Sequence, residues 1–479
     1  MTTPSIYRKG MILINALVFA SIAITVTIGL TNWGATVLKT TRTLSDREQA
    51  FQLAEAGVEY YRWHLAHAAT DYTDGTGVPG PYIHDVTDTG GTVIGQFELT
   101  ITPPPIGSTI VGVLSKGVLE SNPTIYRKIQ ARLAIPSLAK FAVVANNNMR
   151  FGSGTEIFGP VHSNGGVRFE GVAHNLVTSS QVTYDDPDDG NSQQKFGVYT
   201  TVSPVDPNPP AAVPSRPDVF IAGRQFPVQS FDFAGLTFDL AQMKADAQAS
   251  GRYIAASGSQ GYRIRLNTND TFDLYRVNSL RSAPSGCTNS ASQDGWGTWS
   301  INNQTSLGNF PFPGNGIIFV EDHVWVEGRI DGARLTIASG RFPDNASTRT
   351  SITVNDDVLY TRYDGTDVLA LIAQGNFNVG MWSQDDLRID AALVAQNGRV
   401  GRYYYDDDCE SGGTEYYERD VLTLYGMIAT NQRYGFAYTN GTGYDIRNIT
   451  YDTNLLYGPP PSFPLTSSQY QTISWQEVQ

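Results

Sequence analysis

The side chains with chemical potential are scattered along the chain. Six histidines, His64, His67, His84, His162, His174 and His323, form no HExxH or HxH spacing. His64 and His67 lie three apart on a predicted helix, where they could share a metal but more simply form part of a solvated face. There is no GxSxG, no Walker loop, and no cysteine near a histidine in sequence, so neither an activated nucleophile nor a phosphate cradle is signalled. Polysaccharide cleavage needs clustered carboxylates, and Asp356-Asp357, Asp385-Asp386 and Asp390 offer them. They fall at predicted corners, where aspartate serves turn geometry, and the chain is expected not to be an enzyme, with no catalytic residue. Asp185-Asp186, Asp188-Asp189 and the run Asp406, Asp407, Asp408 with Glu410 supply hard oxygen ligands of the kind calcium takes outside the cell. None has EF-hand spacing, so no metal or cofactor is expected, and Asp406, Asp407, Asp408 and Glu410 stand as the calcium candidates. Cys287 and Cys409 are the two cysteines. Either they pair, closing a loop of about 100 residues worth roughly 4–5 kcal/mol in the chain-entropy model, or they remain free thiols.

What must position these residues is a turn-rich body behind an apolar helix. Gly 47 and Pro 25 in 479 residues, with 16% charged and 25 Tyr against 6 Met, describe β structure more than a helical bundle. A net charge of -13 argues against a phosphate-binding surface, so no nucleic-acid partner is expected. From Gly10 to Leu38 there is no charged residue, and Lys9 and Lys39 bracket the run. At 1.5 Å per helical residue, residues 11–38 can cross a hydrocarbon core of about 30 Å. A secretory signal would place its small residue after the apolar run, whereas Gly10 precedes it. Arg8 and Lys9 lie before the span and Lys39, Arg42 and Arg47 after it, so charge alone does not orient it. Beyond it Leu44, Phe51, Val58 and Leu65 recur every seven residues, flanked by Ala54, Tyr61 and Ala68, and no proline interrupts residues 5–78. One helix over residues 11–68, on the order of 87 Å long, is predicted.

Arg8-Lys9-Gly10 followed by Met11-Ile12-Leu13-Ile14-Asn15 resembles the class III leader of type IV pilins, and Ala50-Phe51-Gln52-Leu53-Ala54-Glu55-Ala56-Gly57-Val58-Glu59 is similar to the "AF..AEAG.E" segment of PilX-like minor pilins. The resemblance implies cleavage by a prepilin peptidase between Gly10 and Met11, methylation of Met11, a cytoplasmic leader and an outer body. It implies a single-pass membrane precursor that later joins a pilus at the cell surface. Other pilins, the inner-membrane assembly platform and an unidentified surface ligand are the implied partners. Most pilins carry glutamate at the fifth mature position, understood to neutralise the neighbouring subunit's terminal ammonium in the filament core, where an unpaired charge is costly. Here that position is Asn15, which resembles the tip minor pseudopilin of type II secretion and suits the filament tip. The function so implied is assembly priming and surface contact or adhesion. The alternatives are a type II secretion minor pseudopilin and a membrane-anchored extracellular polysaccharide-processing protein.

After the helix, residues 69–95 read as a loop, and Gln96 to Thr102, Ile110 to Glu120 and Tyr126 to Ile135 alternate as a small antiparallel sheet would. From Phe141 an apolar strand, a small residue and an Asn or Gly corner recur at Val144-Ala145-Asn146, Val161-His162-Ser163-Asn164, Ile372-Ala373-Gln374-Gly375, Val394-Ala395-Gln396-Asn397 and Ile428-Ala429-Thr430-Asn431. Ala145 and Ser163 are 18 residues apart, Ala373 and Ala395 22 apart, spacings that suit the rungs of a coil with corners tolerant of left-handed geometry. The expected fold class is α+β, mainly β: a long pilin-like helix, a small antiparallel sheet, then a right-handed parallel β-helix-like domain, with a β-sandwich as the alternative. The expected boundaries are leader 1–10, helix 11–68, head 69–136 and solenoid 137–479, with insertions at 172–314 and 402–420. Tyrosines at 403–405, 416–417, 434, 438 and 444 serve either ladder packing or adhesion.

Overall fold

In the computed structural model, which describes residues 7–190, 192–233, 237–465 and 467–478, one helix, α1 (Tyr7–His67), runs for 61 residues. It begins four residues ahead of the expected start at Met11. The first six residues of the 1–10 leader lie outside the described residues. The chain divides into two compact units, one made of α1 and an antiparallel sheet, the other of residues 104–110 and 135–468.

In the first unit, β1 (Tyr82–Thr87), β2 (Val93–Thr102), β3 (Val111–Leu119) and β4 (Asn122–Ala134) form an antiparallel sheet in chain order. The fifth strand is Gln471–Val478, paired antiparallel with β4. The expected solenoid boundary at 479 is therefore corrected: the alternating tail satisfies the open edge of β4, a pairing between segments too distant in sequence for periodicity to report. The expected loop over 69–95 also contains β1, whose short alternation is masked by neighbouring Gly, Thr and Asp.

The second half of α1 lies on this sheet through Ala50, Leu53, Ala54, Val58, Tyr61 and Leu65, all buried. Leu44 is exposed, and Phe51 is half-buried with its ring 5.7 Å from that of Trp475. The buried face thus centres on Ala50, Ala54 and Tyr61, one step round from the predicted stripe. Small residues bring helix and strand together. A Cβ added at Gly117 of β3 would stand 2.0 Å from the Ala50 carbonyl oxygen, and one at Gly57 would stand 2.3 Å from Ser115 Oγ. The helix ends over a tight loop in which the Asp71 carboxylate accepts from Thr73 N and Oγ1, both at 2.8 Å, and from His64 Nε2 at 3.0 Å. The Thr73 bonds, with those of Gly75 and His64, hold the Asp71 carboxyl down at about 2.

The second unit is a stack of parallel ladders. In the longest, Arg252–Ile254 pairs with Ile317–Val320, and the ladder continues through Arg334–Ser339, Val368–Ala373 and the carboxy-terminal ends of Asp386–Ala395 and Glu418–Thr430. Its next strand is not further along the chain. Ile428–Thr430 pairs with Val143–Ala145, which continues to Val161–Ser163, Val177–Ser179 and Arg224–Gln225. The chain therefore enters the stack in its middle, builds outward to Arg224–Gln225, crosses by α2 (Thr237–Ala249) to the opposite end, and builds back until its last turns meet its first. The expected insertion 172–314 is corrected accordingly: its strands at 172–173, 177–179, 224–225, 252–254 and 261–267 are all ladder members. Their irregular spacing, broken by the crossover, hides the repeat. Within 402–420 a short hairpin, Glu410–Ser411 on Thr414–Glu415, stands apart from the ladders.

The repeat motif marks one column of this stack. Ser339, Ala373, Ala395, Thr430, Ala145, Ser163 and Ser179 are successive register partners, and all are buried. At the adjoining corner Asn146 Nδ2 donates to Asn431 Oδ1 and Asn164 Nδ2 to Asn146 Oδ1, each at 2.8 Å. The longest ladder is buried on both faces, because Leu240, Met243 and Ala247 of α2 cover residues such as Phe319, Ile372 and Val394. That is why LALIA and ALVA read as unbroken apolar runs instead of alternating.

Gly117→Ala is expected to cost about 1–3 kcal/mol by overpacking the helix–sheet contact. Gly314→Ala, whose methyl meets nothing within 4 Å, should change stability by less than about 0.5 kcal/mol. Equilibrium unfolding of the full chain in detergent compares them, and equal effects would contradict the close approach at Gly117.

Candidate functional site

The expected N-terminal site residues lie on α1, which runs without a break through Gly10, Met11 and Asn15. Residues 11–32 are exposed throughout, Met11 at 68%, Leu13 at 71% and Phe19 at 71%. The described part of the helix, Met11–His67, is long and apolar enough to cross a membrane. Its hydroxyls do not spoil that character. Ser21 donates to Val18 O, Thr25 to Ser21 O, Thr27 to Ala23 O and Thr36 to Asn32 O, at 2.7–2.9 Å, so each of these hydroxyls is satisfied within the helix, as an apolar medium demands. Asn15 is exposed on the same surface.

Cys287 and Cys409 form a disulfide across 122 residues, with Cα atoms 4.5 Å apart. Buried Met381, Tyr403 and Tyr405 pack round it, with Trp296, Trp299 and Trp382 at the edge. Tyr405 donates to Gly297 O at 2.8 Å and Trp296 Nε1 to Tyr404 O at 2.9 Å, so the loop carrying Cys287 is fastened to the 402–420 segment by more than sulfur.

The acidic loop is divided among separate tasks. Asp406 accepts from Ser290 Oγ at 2.6 Å, while Asp407, Asp408 and Glu410 are exposed. Among the described residues the one close set of three metal-ligating side chains is Cys287, Asp406 and Cys409, and two of its members are spent on the disulfide. The histidines are also spread out. His64 bonds Asp71, His67 Nδ1 donates to Trp63 O at 2.8 Å, and His84 faces Asp74 at 2.7 Å. His174 lies 3.3 Å from Glu156 on the surface. His162 lies between Thr178 and Asn164, and His323 Nδ1 accepts from Ser351 N at 3.0 Å; burial disfavours the charged form of each and lowers both pKa values.

The corner aspartates serve local structure. Asp390 is fully buried and accepts from Tyr360 N, the Tyr363 hydroxyl and Arg388 Nε. Asp357 accepts from Arg388 N, Asp356 from Gln384 Nε2, and Asp385 meets Arg419 at 3.0 Å, while Asp386 is exposed. One carboxyl was not legible in sequence. Glu327 shares a cleft of about 270 Å³ with Asp356, Trp325 and Trp382. Burial raises its pKa, nearby Asp356 adds to the effect, and its partner Arg263 opposes it. Glu327 looks like one more residue of the alternating strand Val324–Ile330, and only the stack brings it to Asp356.

Replacing Cys287 and Cys409 together by serine is expected to lower stability by about 4–5 kcal/mol on the chain-entropy model. Denaturant unfolding of the double variant should superimpose on that of the reduced parent; a parent curve that reduction leaves unmoved would contradict a stabilising cross-link.

No protein-family model and no curated protein matches this chain. Among solved structures, the competence-associated pilin ComZ from Thermus thermophilus is similar over 90% of this chain and 98% of its own, at 14% identity and a TM-score of 0.31.

Proposed function

We propose that the chain is a pilin-like structural subunit. It is inserted in the membrane through residues 11–38 with its N-terminus in the cytoplasm, cut between Gly10 and Met11 by a prepilin peptidase, and methylated at Met11. It then joins other pilins, through an inner-membrane platform, in a type IV pilus or related filament. The observation that carries this reading is the change of surface along α1. Its first half exposes apolar side chains on every face, and its second half buries a stripe of small residues under an antiparallel sheet. A helix of that kind needs lipid or neighbouring helices round one half and brings its own folded head on the other. The sequence Arg8-Lys9-Gly10-Met11 supplies the point of cleavage, and the Ala50, Ala54 and Gly57 positions of the PilX-like segment are those that let helix and sheet approach.

The parallel ladders support reading the second unit as a right-handed β-helix carried by the filament for surface contact, without catalysis. Asn15, in place of the usual glutamate, cannot neutralise a neighbour's ammonium, so this subunit takes the tip, where no preceding subunit requires it.

Mass spectrometry of the protein from membranes and sheared fibres is expected to find an N-methylated Met11 terminus, with Gly10→Leu left uncut. An intact residue 1, or cleavage beyond residue 38, would sink the proposal. Gold labelling should mark fibre ends, with Asn15→Glu spreading label along the shaft; lateral label on the parent protein would remove the tip assignment alone.

A further inference from the structure

One of the parallel ladders ends in a hairpin. Gly261–Asn267 pairs parallel with Val324–Ile330 on one side and antiparallel with Thr271–Leu280 on the other. Ile264, Leu266, Val326 and Ile330 belong to the core, so the alternate residues Arg263, Arg265, Glu327 and Arg329 lie on the outer face. Between this face and the 267–271 turn runs an open groove of about 610 Å³, within the range of small-ligand sites.

Two guanidinium groups on its wall, Arg265 and Arg329, are uncommitted. On the same face Arg263 is paired with Glu327 and Arg388 with Asp390. Among the described residues neither Arg265 nor Arg329 has a hydrogen-bond, ion-pair or ring partner, and both are exposed. Arg265 is the register partner of Glu327, and Arg329 stands two residues further on. Such diagonal neighbours on adjacent strands are about 7–8 Å apart, within reach of long side chains, and like charges so placed repel. The one acid on the wall, Asp357, accepts from Arg388 N at 2.8 Å. Nearby Asp273 is met by amides, Asn309 Nδ2 donating to it at 2.9 Å and Asn267 Nδ2 at 3.4 Å. Those bonds leave the side-chain oxygens of Asn267 and Asn309 as acceptors at the groove.

We propose that the groove binds a sugar phosphate. The doubly charged phosphoryl group of a monoester accepts from Arg265 and Arg329 together, and the sugar hydroxyls donate to the Asn267 and Asn309 side-chain oxygens. Two guanidinium groups match a dianion in charge and present paired donors to its oxygens, and the bound dianion removes the repulsion between them. The rest of the wall favours a hydroxylated carrier over an acyl chain. Thr268, Asn269 and Thr271 are polar, and Leu359 is the one aliphatic side chain there that is not fully buried.

Calorimetric titration of the full chain in detergent with glucose 6-phosphate tests this, above the second phosphate pKa of about 6, where the monoester is a dianion. Glucose, glucose 6-sulfate and glycerol 3-phosphate serve as the uncharged, singly charged and lipid-headgroup probes. Glucose 6-phosphate should bind about fivefold more tightly than the sulfate or the glycerol ester, and glucose should not bind measurably. Arg265→Gln and Arg329→Gln should each weaken glucose 6-phosphate about tenfold at an unchanged unfolding midpoint, since both side chains are exposed. Asn309→Ala should weaken glucose 6-phosphate and leave inorganic phosphate unmoved, while Arg276→Gln, on the neighbouring strand and outside the groove, should change neither. Absence of binding, equal affinity for the sulfate or the glycerol ester, or affinity that survives either groove-arginine substitution would overturn the proposal. Binding is read on isolated chains, so its outcome is separate from that of filament assembly.

Discussion

The short ladder between Ile428–Thr430 and Val143–Ala145 is the contact on which the β unit depends. The chain enters the stack in the middle, so without this ladder and the one beside it the unit is two part-stacks, each ending in unpaired backbone N–H and C=O groups. Bare strand edges of that kind invite pairing with other chains. The junction is accordingly reinforced by several unlike interactions. The second ladder, Arg447–Thr450 on Thr155–Phe158, runs beside it. The Asn431, Asn146 and Asn164 amides continue across it, Arg433 reaches Asp188, and Arg447 donates to Ser153 O. The column of small buried residues passes through without a change of character, from Ala395 and Thr430 to Ala145 and Ser163. One packing rule therefore holds on both sides, although nearly three hundred residues separate the strands that meet.

A different strategy secures the irregular segments. Arg402 is completely buried, yet it is held by carbonyls and not by a carboxylate: it donates to Gly380 O, Met381 O, Tyr416 O and Ser383 Oγ, and lies against Tyr405. Arg419 adds bonds to Met381 O, Glu415 O and Glu418 O. Desolvation works against the Arg402 cation and lowers its pKa. The guanidinium fork offsets this by gathering carbonyls that the ladders leave unmatched where the chain departs from them. Guanidinium, tyrosine and disulfide together fasten the 402–420 segment, whose two ends are ladder strands and whose middle forms a two-stranded hairpin.

The local order of the fold was legible in the residues. Ala145 with Ser163, and Ala373 with Ala395, are register partners at the spacings seen in the sequence, because each coil must return a small residue to the same column. The helix over 11–68 was legible for the same reason, since hydrophobic periodicity is a short-range property. The order of the stack was not. Nothing near Val143 states that its neighbour is Ile428, and the crossover through α2 reads as an interruption. The tail Gln471–Val478 has the alternation of any half-buried strand, so its partner β4 could not be named. Glu327 and Asp356 meet only because two turns are stacked, and Arg265 and Arg329 face one groove only because their strands are ladder neighbours.

The position of Gln471–Val478 has a consequence for timing. The sheet that α1 covers begins with the first 134 residues and receives its fifth strand from the last few. Everything between must be synthesised before that strand exists. A chain broken anywhere in the β unit therefore keeps β4 as an open edge, and Phe51 lacks the indole of Trp475. Only a chain that already contains residues 135–470 has a closed head, so closure of the head reports that the β unit has been made.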